Sequence, residues 1–389
     1  MGLKSHHDAI GEALDAGPRL LTSASKTCVI VPDATRPLPF EATLRQLFER
    51  LQGAEITCLV GLGLHRPMTV EELAPIQRAI GDRDIEILQH DARSPHLFFG
   101  GTTAGIPVAL NRAVVQAERV ICVGTVEPHQ YAGYSGGIKA ISIGCAGEST
   151  ISAMHGLTFL RDERTTLGRI RDNPFQNALW DIGASIEEML GLQLVPAAGG
   201  GIRGVFFGEL RSAFQRAYEF AAESFFEVFD TPVDWLHLRV PAVKASNFYQ
   251  ASRAATYAAL VDGPAVRPGG VILVEADCPE GLGEGVGERA CAEAMKSGVH
   301  GLLQQLRGGE PIEIRGGQQR AYVLARACER NRIALIGAPV IDELSLMDIE
   351  QFDCVDEAAD AFALEGAKGR RIDDIFHCIP TLTSPVFPR

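Results

Sequence analysis

Thr27-Cys28-Val29-Ile30-Val31-Pro32 runs without a break into Asp33-Ala34-Thr35-Arg36-Pro37. A short β-branched run that ends on an acid and a base reads as a buried strand delivering polar groups at its carboxyl end. The arrangement recurs twice. EITCLVGLGL (55–64) leads into His65-Arg66-Pro67, and RVICVGTV (119–126) leads into EPHQYAGYSGGIK (127–139). Strands are expected at 28–31, 56–60, 85–89 and 120–123, with helical periodicity between them at 39–52 and 70–80. Short apolar runs alternating with amphipathic stretches make an α/β fold. In an open α/β sheet, ligands bind outside the carboxyl ends of the strands. If these strands are parallel neighbours, Asp33, Arg36, His65, His129 and Lys139 converge on one edge.

Working outward, residues 213–229 read as a long helix closing the first unit. A second α/β region follows, with strands at 235–240, 271–275 and 333–336, a helix at 251–260 and a glycine-rich run after Cys278. The expected architecture is two α/β domains, 1–228 and 229–375, with an active-site cleft between them. The tail, about 376–389, is expected to pack back on the first domain.

Composition narrows the function classes. The 389 residues carry 36 Lys+Arg against 49 Asp+Glu, a net charge of −13. With no basic block, the chain is not expected to bind nucleic acid, whose phosphates demand clustered cations. No apolar stretch reaches the length of a membrane span, and the start MGLKSHHDAI has no apolar leader. Nine cysteines without CxxC spacing read as reduced thiols of a cytoplasmic protein.

The strand-end residues suggest chemistry. Arg36 offers a rigid donor fork matched to a carboxylate, so the partner is expected to be a small anionic molecule. Two histidines, His65 and His129, suit proton traffic on two faces of one carbon. Lys139 alone reads as a surface lysine. His155, at the end of a helical segment starting near Glu148 and closed by Gly156, reads as a residue favoured by the helix C-terminus.

Two motifs mislead. GYSGG (133–137) matches the G-x-S-x-G nucleophile elbow, yet residues 127–132 separate the strand from Ser135. A serine hydrolase using Ser135 is therefore the alternative reading, with a cofactor-free anion-binding protein a further one. Gly136 and Gly137 instead suggest backbone amides approaching a phosphate or a flat ring. GGGIRG (199–204) satisfies GxGxxG, but the following VFFGEL reads as a strand, so the glycines form a turn.

Taken together, DATRP (33–37), HRPMT (65–69), EPHQYAGYSGGIK (127–139), His155 sixteen residues beyond Lys139, and KASNFYQASRA (244–254) resemble the nickel-dependent lactate racemase family. The resemblance implies an isomerase, a racemase or epimerase that inverts C2 of a 2-hydroxy acid through a 2-keto acid. It implies a nickel-pincer nucleotide (pyridinium-3-thioamide-5-thiocarboxylic acid mononucleotide nickel) tethered to Lys139, with His155 as the single protein ligand of nickel. Cofactor-building enzymes are then partners in maturation. His65 and His129 match the acid/base pair, Arg36 a substrate-carboxylate contact, and Asp33 its motif partner near the cofactor. Tyr249 and Gln250 match substrate-side positions of the second domain. Arg253 stands where the lactate enzymes place a lysine, Val243-Lys244-Ala245 replaces a Pro-Lys-Asp order, and Ile143 replaces a proline. These departures concern the substrate more than the cofactor.

Overall fold

The computed structural model describes residues 6–18, 26–36, 38–308 and 314–383. Pro37 of the DATRP motif and residues 384–389 of the tail lie outside them. Two compact units emerge, each discontinuous in sequence. The first comprises Met1–Pro128, Tyr134–Met154 and Phe175–Ala221; the second comprises His129–Gly133, His155–Pro174 and Ala222–Arg389. The turn bearing His129 and the segment opening on His155 thus group with the second unit.

The first unit is built on a six-stranded sheet in the order Ile202–Glu209, Met189–Pro196, Arg119–Thr125, Lys26–Val31, Glu55–Val60, Ile85–Gln89. Every neighbouring pair is parallel except the first. The expected neighbours are therefore real. Lys26–Val31 lies between Glu55–Val60 and Arg119–Thr125, and on its two sides the chain proceeds in opposite directions across the sheet. Such a switch point opens a crevice at the carboxyl ends of the strands.

What holds this edge in place is a dry core beneath it. Val29, Val31, Cys58, Val60, Ile121 and Val123 pack with Leu44, Leu47, Phe48 and Ile76 in one buried cluster. Each such side chain contributes about 1.5–3 kcal/mol when fully buried. The helices Phe40–Arg50 and Val70–Ile80 supply their apolar faces to it. Val70–Ile80 begins on a capping box: Thr69 accepts from the Glu72 amide, while the Glu72 carboxylate accepts from the Thr69 amide.

GGGIRG is a turn, as its composition suggests. Gly199, Gly200 and Gly201 take φ of +78, +102 and +92° in the connection between the antiparallel strands Met189–Pro196 and Ile202–Glu209. Sequence periodicity does not reveal Met189–Pro196, or the hairpin of Phe98–Thr103 and Ile106–Leu110. The long helix begins and ends earlier than expected, Leu210–Phe225, and the chain leaves it as the strand Phe226–Val228. That strand pairs with Ile379–Thr381 of the tail.

A five-stranded parallel sheet forms the second unit, ordered Glu350–Phe352, Arg332–Ile336, Val266–Glu275, Val233–Arg239, Gly369–Ile372. Both units are α/β. All nine cysteines are free thiols, and burial pushes those of Cys28 and Cys58 up to about 12. Among the described residues no helix is long and apolar enough to cross a membrane.

Candidate functional site

In the first unit, Asp33 and His65 meet at the carboxyl ends of adjacent strands. Asp33 Oδ2 lies 2.5 Å from His65 Nδ1, and its other oxygen accepts from the Thr35 amide at 3.0 Å and from the Thr35 hydroxyl. The Asp33 side chain is 10% exposed and that of His65 60%. Burial raises the Asp33 carboxyl, but the hydrogen bonds from His65 and Thr35 and the charge of His65 outweigh it, holding the group at about 2. A carboxylate that accepts from Nδ1–H fixes the tautomer and leaves Nε2, on the exposed side of the ring, as a lone-pair acceptor.

Arg36 is half-buried and lines a groove with Phe40, Glu71, Glu72 and Ile202. No carboxylate among the described residues pairs with its guanidinium. The neighbouring Arg66 differs, since Glu72 takes it in a two-pronged contact at 2.7 and 2.8 Å.

Lys139 is half-buried and immediately precedes a π-helical turn, Ala140–Gly144. Its flanks are anchored by the fully buried Ile138 and Ile141. The two glycines before it answer to the fold. A Cβ on Gly136 would fall 2.7 Å from Gln193 Oε1, and one on Gly137 would fall 2.8 Å from the Phe214 ring. The Gly137 amide already donates to Gln193 Oε1 at 2.8 Å. Both positions take positive φ, +85 and +56°.

Ser135 is not placed as a nucleophile. It is 5% exposed, donates to the Thr125 carbonyl at 3.0 Å and accepts from the Glu127 amide at 3.0 Å. Among the described residues no histidine bonds it, so the hydrolase reading loses its base.

In the second unit, Nδ1 of His129 accepts the amides of Tyr131 and Ala132 at 3.3 and 3.2 Å. The proton of the neutral ring therefore sits on Nε2, the opposite of His65. Tyr131 is 4% exposed and meets the His155 ring edge-on, with centroids 5.7 Å apart. Burial pushes the Tyr131 hydroxyl up, against the charges of Arg320, Arg326 and Arg253. Gly133 closes this turn; a Cβ there would fall 2.1 Å from the Arg169 carbonyl oxygen.

His155 lies one residue beyond the helix Glu148–Met154, outside its last turn. Gly156 is extended (φ −74, ψ 173°) and is the N-cap of Leu157–Arg161. The expected glycine C-cap is thus wrong: the chain turns directly into a second helix and needs no left-handed residue. Among the described residues no group of three or more His, Cys, Asp or Glu could hold a metal ion.

Tyr249 and Gln250 are half-buried in a single turn, Phe248–Ala251, whose N-cap Asn247 accepts from the Gln250 amide at 3.0 Å. Arg253 begins the next helix, Arg253–Leu260. The glycine-rich run after Cys278 now has a role. Its backbone is zipped to this segment by Phe248 N–H to Gly281 O (2.8 Å), Glu280 N–H to Ser246 O (3.0 Å) and Cys278 N–H to Ala245 O (2.9 Å). At Gly283, φ is +104° and a Cβ would strike Glu288 and Asn247. These loops follow the carboxyl ends of two adjacent parallel strands.

Residues 4–168 match the family model of the lactate racemase N-terminal domain. A lactate racemase from Thermoanaerobacterium thermosaccharolyticum is 26% identical over 327 residues, 81% of this chain and 74% of the relative. The chain is similar to the lactate racemases. A second one, from Lactiplantibacillus plantarum, is 26% identical over 349 residues, 87% of this chain and 80% of its own length. The fold agrees as well. The structure of the lactate racemase apoprotein from T. thermosaccharolyticum superposes with a TM-score of 0.85 at 23% identity, over 97% of this chain and 93% of that one. Asp33, Arg36, His65, His129, Lys139 and His155 all fall inside the matched N-terminal region.

Arg320 went unnoticed in the sequence. It is 4% exposed in the first turn of Gln319–Arg330, with Nη1 donating to Gln130 Oε1 at 2.9 Å and its guanidinium 5.3 Å from the Tyr249 ring centre. In sequence it is one arginine of an amphipathic helix; only the fold buries it.

Proposed function

We propose that this protein is a racemase or epimerase of 2-hydroxy acids. The observation that carries the reading is the Asp33–His65 pair at a strand-end switch point, inside the region that matches the lactate racemase N-terminal domain model. Arg36, with no carboxylate pairing it among the described residues, binds the substrate carboxylate. His65 accepts the C2 hydroxyl proton at Nε2, and the Asp33 carboxylate stabilises the imidazolium that results. His129 donates a hydrogen bond from Nε2–H to substrate oxygen and, as the imidazolium with a second proton on Nδ1, returns a proton from Nε2. Tyr249, Gln250 and Arg253 supply further substrate contacts.

A nickel-pincer nucleotide fits the donor set. Lys139 and His155 would hold it, the lysine by a covalent tether and the histidine as metal ligand. Because no group of three or more His, Cys, Asp or Glu gathers among the described residues, a nickel held by His155 would take its remaining ligands from the cofactor. The order of its parts also agrees, with a half-buried lysine braced by buried neighbours at a π-helical turn, a feature frequent at functional sites. When bound, the group supplies a reversible hydride acceptor, by which a 2-hydroxy acid passes through a 2-keto acid and back. Gly136 and Gly137 then act by setting the backbone that leads into Lys139. Maturation in the cytoplasm by cofactor-building enzymes completes this reading.

The test is to produce the chain with and without those enzymes, weigh it intact, and follow a panel of single-enantiomer 2-hydroxy acids by chiral chromatography in D₂O. The expected result is an adduct on Lys139 and racemisation without deuterium at C2. Bare polypeptide under conditions that load a known racemase, or extensive C2 deuteration, overturns the reading.

A further inference from the structure

His90 is a buried imidazole that the proposed chemistry leaves unused. It is 3% exposed and follows the carboxyl end of Ile85–Gln89, the edge strand of the first sheet. Its Nε2 lies 2.9 Å from the Ala146 carbonyl oxygen, and its Nδ1 lies 3.1 Å from Asn111 Nδ2. A carbonyl only accepts, so the ring proton sits on Nε2 and Nδ1 accepts from Asn111. The Asn111 side chain is fixed in turn, because its Oδ1 accepts the Ala113 amide at 3.0 Å. Burial disfavours the charged ring, against the Ala146 hydrogen bond and the charge of Asp91. Donors and acceptors thus have a single assignment across the network. A buried polar network satisfied in only one way specifies a position, which an apolar side chain of similar size would not.

What the network holds is a strap, Gly144–Glu148, between the π-helical turn after Lys139 and the helix Glu148–Met154. Backbone bonds clasp the same strap: Asn111 N–H to Cys145 O at 2.9 Å, Gly147 N–H to Ala109 O at 2.8 Å, and Glu148 N–H to Ala92 O at 2.9 Å. A Cβ on Gly147 would fall 2.8 Å from Leu97 Cδ1, so the clasp leaves no slack there. Gly63 N–H to Gly144 O, at 2.9 Å, joins the strap to the loop that bears His65. The two chains are close there, since a Cβ on Gly61 would fall 3.4 Å from the Gly144 backbone. His90 also donates its own amide to the Val60 carbonyl at 3.0 Å, at the end of the strand that delivers His65. All of these residues belong to the first unit. We infer that His90 is a positioning residue, whose neutral ring fixes the strap and thereby the placement of Lys139 against His65. The inference rests on the racemase reading, in which Lys139 tethers the cofactor and His65 takes the hydroxyl proton.

The experiment compares His90→Leu, which keeps the bulk and loses both ring contacts, with His90→Gln, whose amide again presents one donor and one acceptor. In unloaded protein, hydrogen exchange reads the Gly63 and Gly147 amides. Both are expected to exchange about 10-fold faster in His90→Leu and near the wild-type rate in His90→Gln. A rise no larger than that of the Val29 amide in the central strand marks a general loss of stability and overturns the inference. In cofactor-loaded protein, kcat per Lys139 adduct is measured on the best-used 2-hydroxy acid of the panel. His90→Leu is expected to lower it about 10-fold with KM little changed, and His90→Gln to restore it. Wild-type exchange and kcat in folded His90→Leu, or equal losses in both variants, overturn the inference. If His90→Leu does not fold, His90→Asn, too short to reach Ala146, takes its place with the same expectations. If wild type bears no adduct or turns over no 2-hydroxy acid, the racemase reading fails. The exchange comparison then decides the inference alone, a rise confined to the strap and the His65 loop supporting it.

Discussion

Replacing Asp33 by Asn changes one atom of the strand-end pair and should invert the proton placement on His65. The Thr35 amide and hydroxyl both point at Oδ1 of Asp33, so in the variant the carbonyl oxygen stays there and the amide nitrogen takes the place of Oδ2. That nitrogen donates, whereas the carboxylate accepted. His65 must then accept at Nδ1 and carry its proton on Nε2, the wrong tautomer for a base. The charge-assisted bond lost is worth about 1.5–3 kcal/mol, so kcat/KM on a 2-hydroxy acid should fall roughly 10–100-fold. Long-range ¹⁵N correlation of His65 in unloaded protein reads the tautomer directly. Stability supplies a third readout. The Asp33 carboxyl falls from 3.8 to about 2 on folding, which corresponds to about 2 kcal/mol at neutral pH. A depressed folded value means the stabilisation is complete above 3.8 and is lost as pH falls through about 2. Urea unfolding between pH 5 and pH 2 should therefore show wild type losing about 2 kcal/mol more than Asp33→Asn. Turnover within two-fold of wild type, with the proton still on Nδ1, would refute the reasoning.

Three other variants probe neighbouring positions. Lys139→Arg keeps the charge but has no primary amine, so the intact-mass adduct should vanish while the melting temperature stays within a few degrees; an adduct retained elsewhere contradicts the tether. Gly137→Ala places a Cβ 2.8 Å from the Phe214 ring at a φ of +56°, and overpacking plus backbone strain should lower stability by about 1–3 kcal/mol in urea melts. Ser135→Ala leaves the Glu127 amide without its side-chain acceptor, costing about 1–3 kcal/mol, yet turnover per folded molecule should persist. Abolished turnover in a folded Ser135→Ala protein would revive the nucleophile.

The central strands are legible in the sequence because each is a continuous buried β-branched run whose last residue hands over to polar side chains. Lys26–Val31, Glu55–Val60 and Arg119–Thr125 lie within two residues of expectation at either end. Met189–Pro196 carries the same apolar content but is interrupted by Gly191 and Gln193, which hides the pattern. Gln193 is fully buried and bonds the Cys122 carbonyl as well as the Gly137 amide, so it serves the loop rather than the strand. The site divides in the same way. Asp33, Arg36, His65, His129, Lys139 and His155 belong to local motifs, and motifs can be read. Arg320 and the zipped glycine loop depend on contacts between distant segments, Gly287 with Gly317 and residues 278–282 with 245–249. Nothing local to either segment signals them.

The two proposed acid/base histidines are held by different devices, and the difference bears on what each can do. His65 donates Nδ1–H to a carboxylate, so gaining a proton at Nε2 turns a polar contact into an ion pair that Asp33 stabilises. His129 accepts two backbone amides at Nδ1. A second proton on its ring would displace both donors, each hydrogen bond being worth about 1 kcal/mol. His65 is thus built to take a proton, whereas His129 as held offers a hydrogen bond and can give up a proton only as the imidazolium. A racemase that uses His129 as acid in one direction and base in the other passes through its imidazolium either way, so both hands of substrate require the Tyr131–Ala132 turn to release Nδ1. Gly133, pressed on the Arg169 carbonyl, and Asn173, which donates to the Tyr131 carbonyl at 2.7 Å, brace that turn. The stiffness of residues 129–133 then bears on kcat for both enantiomers, while equal free energies of the enantiomers keep kcat/KM the same in both directions.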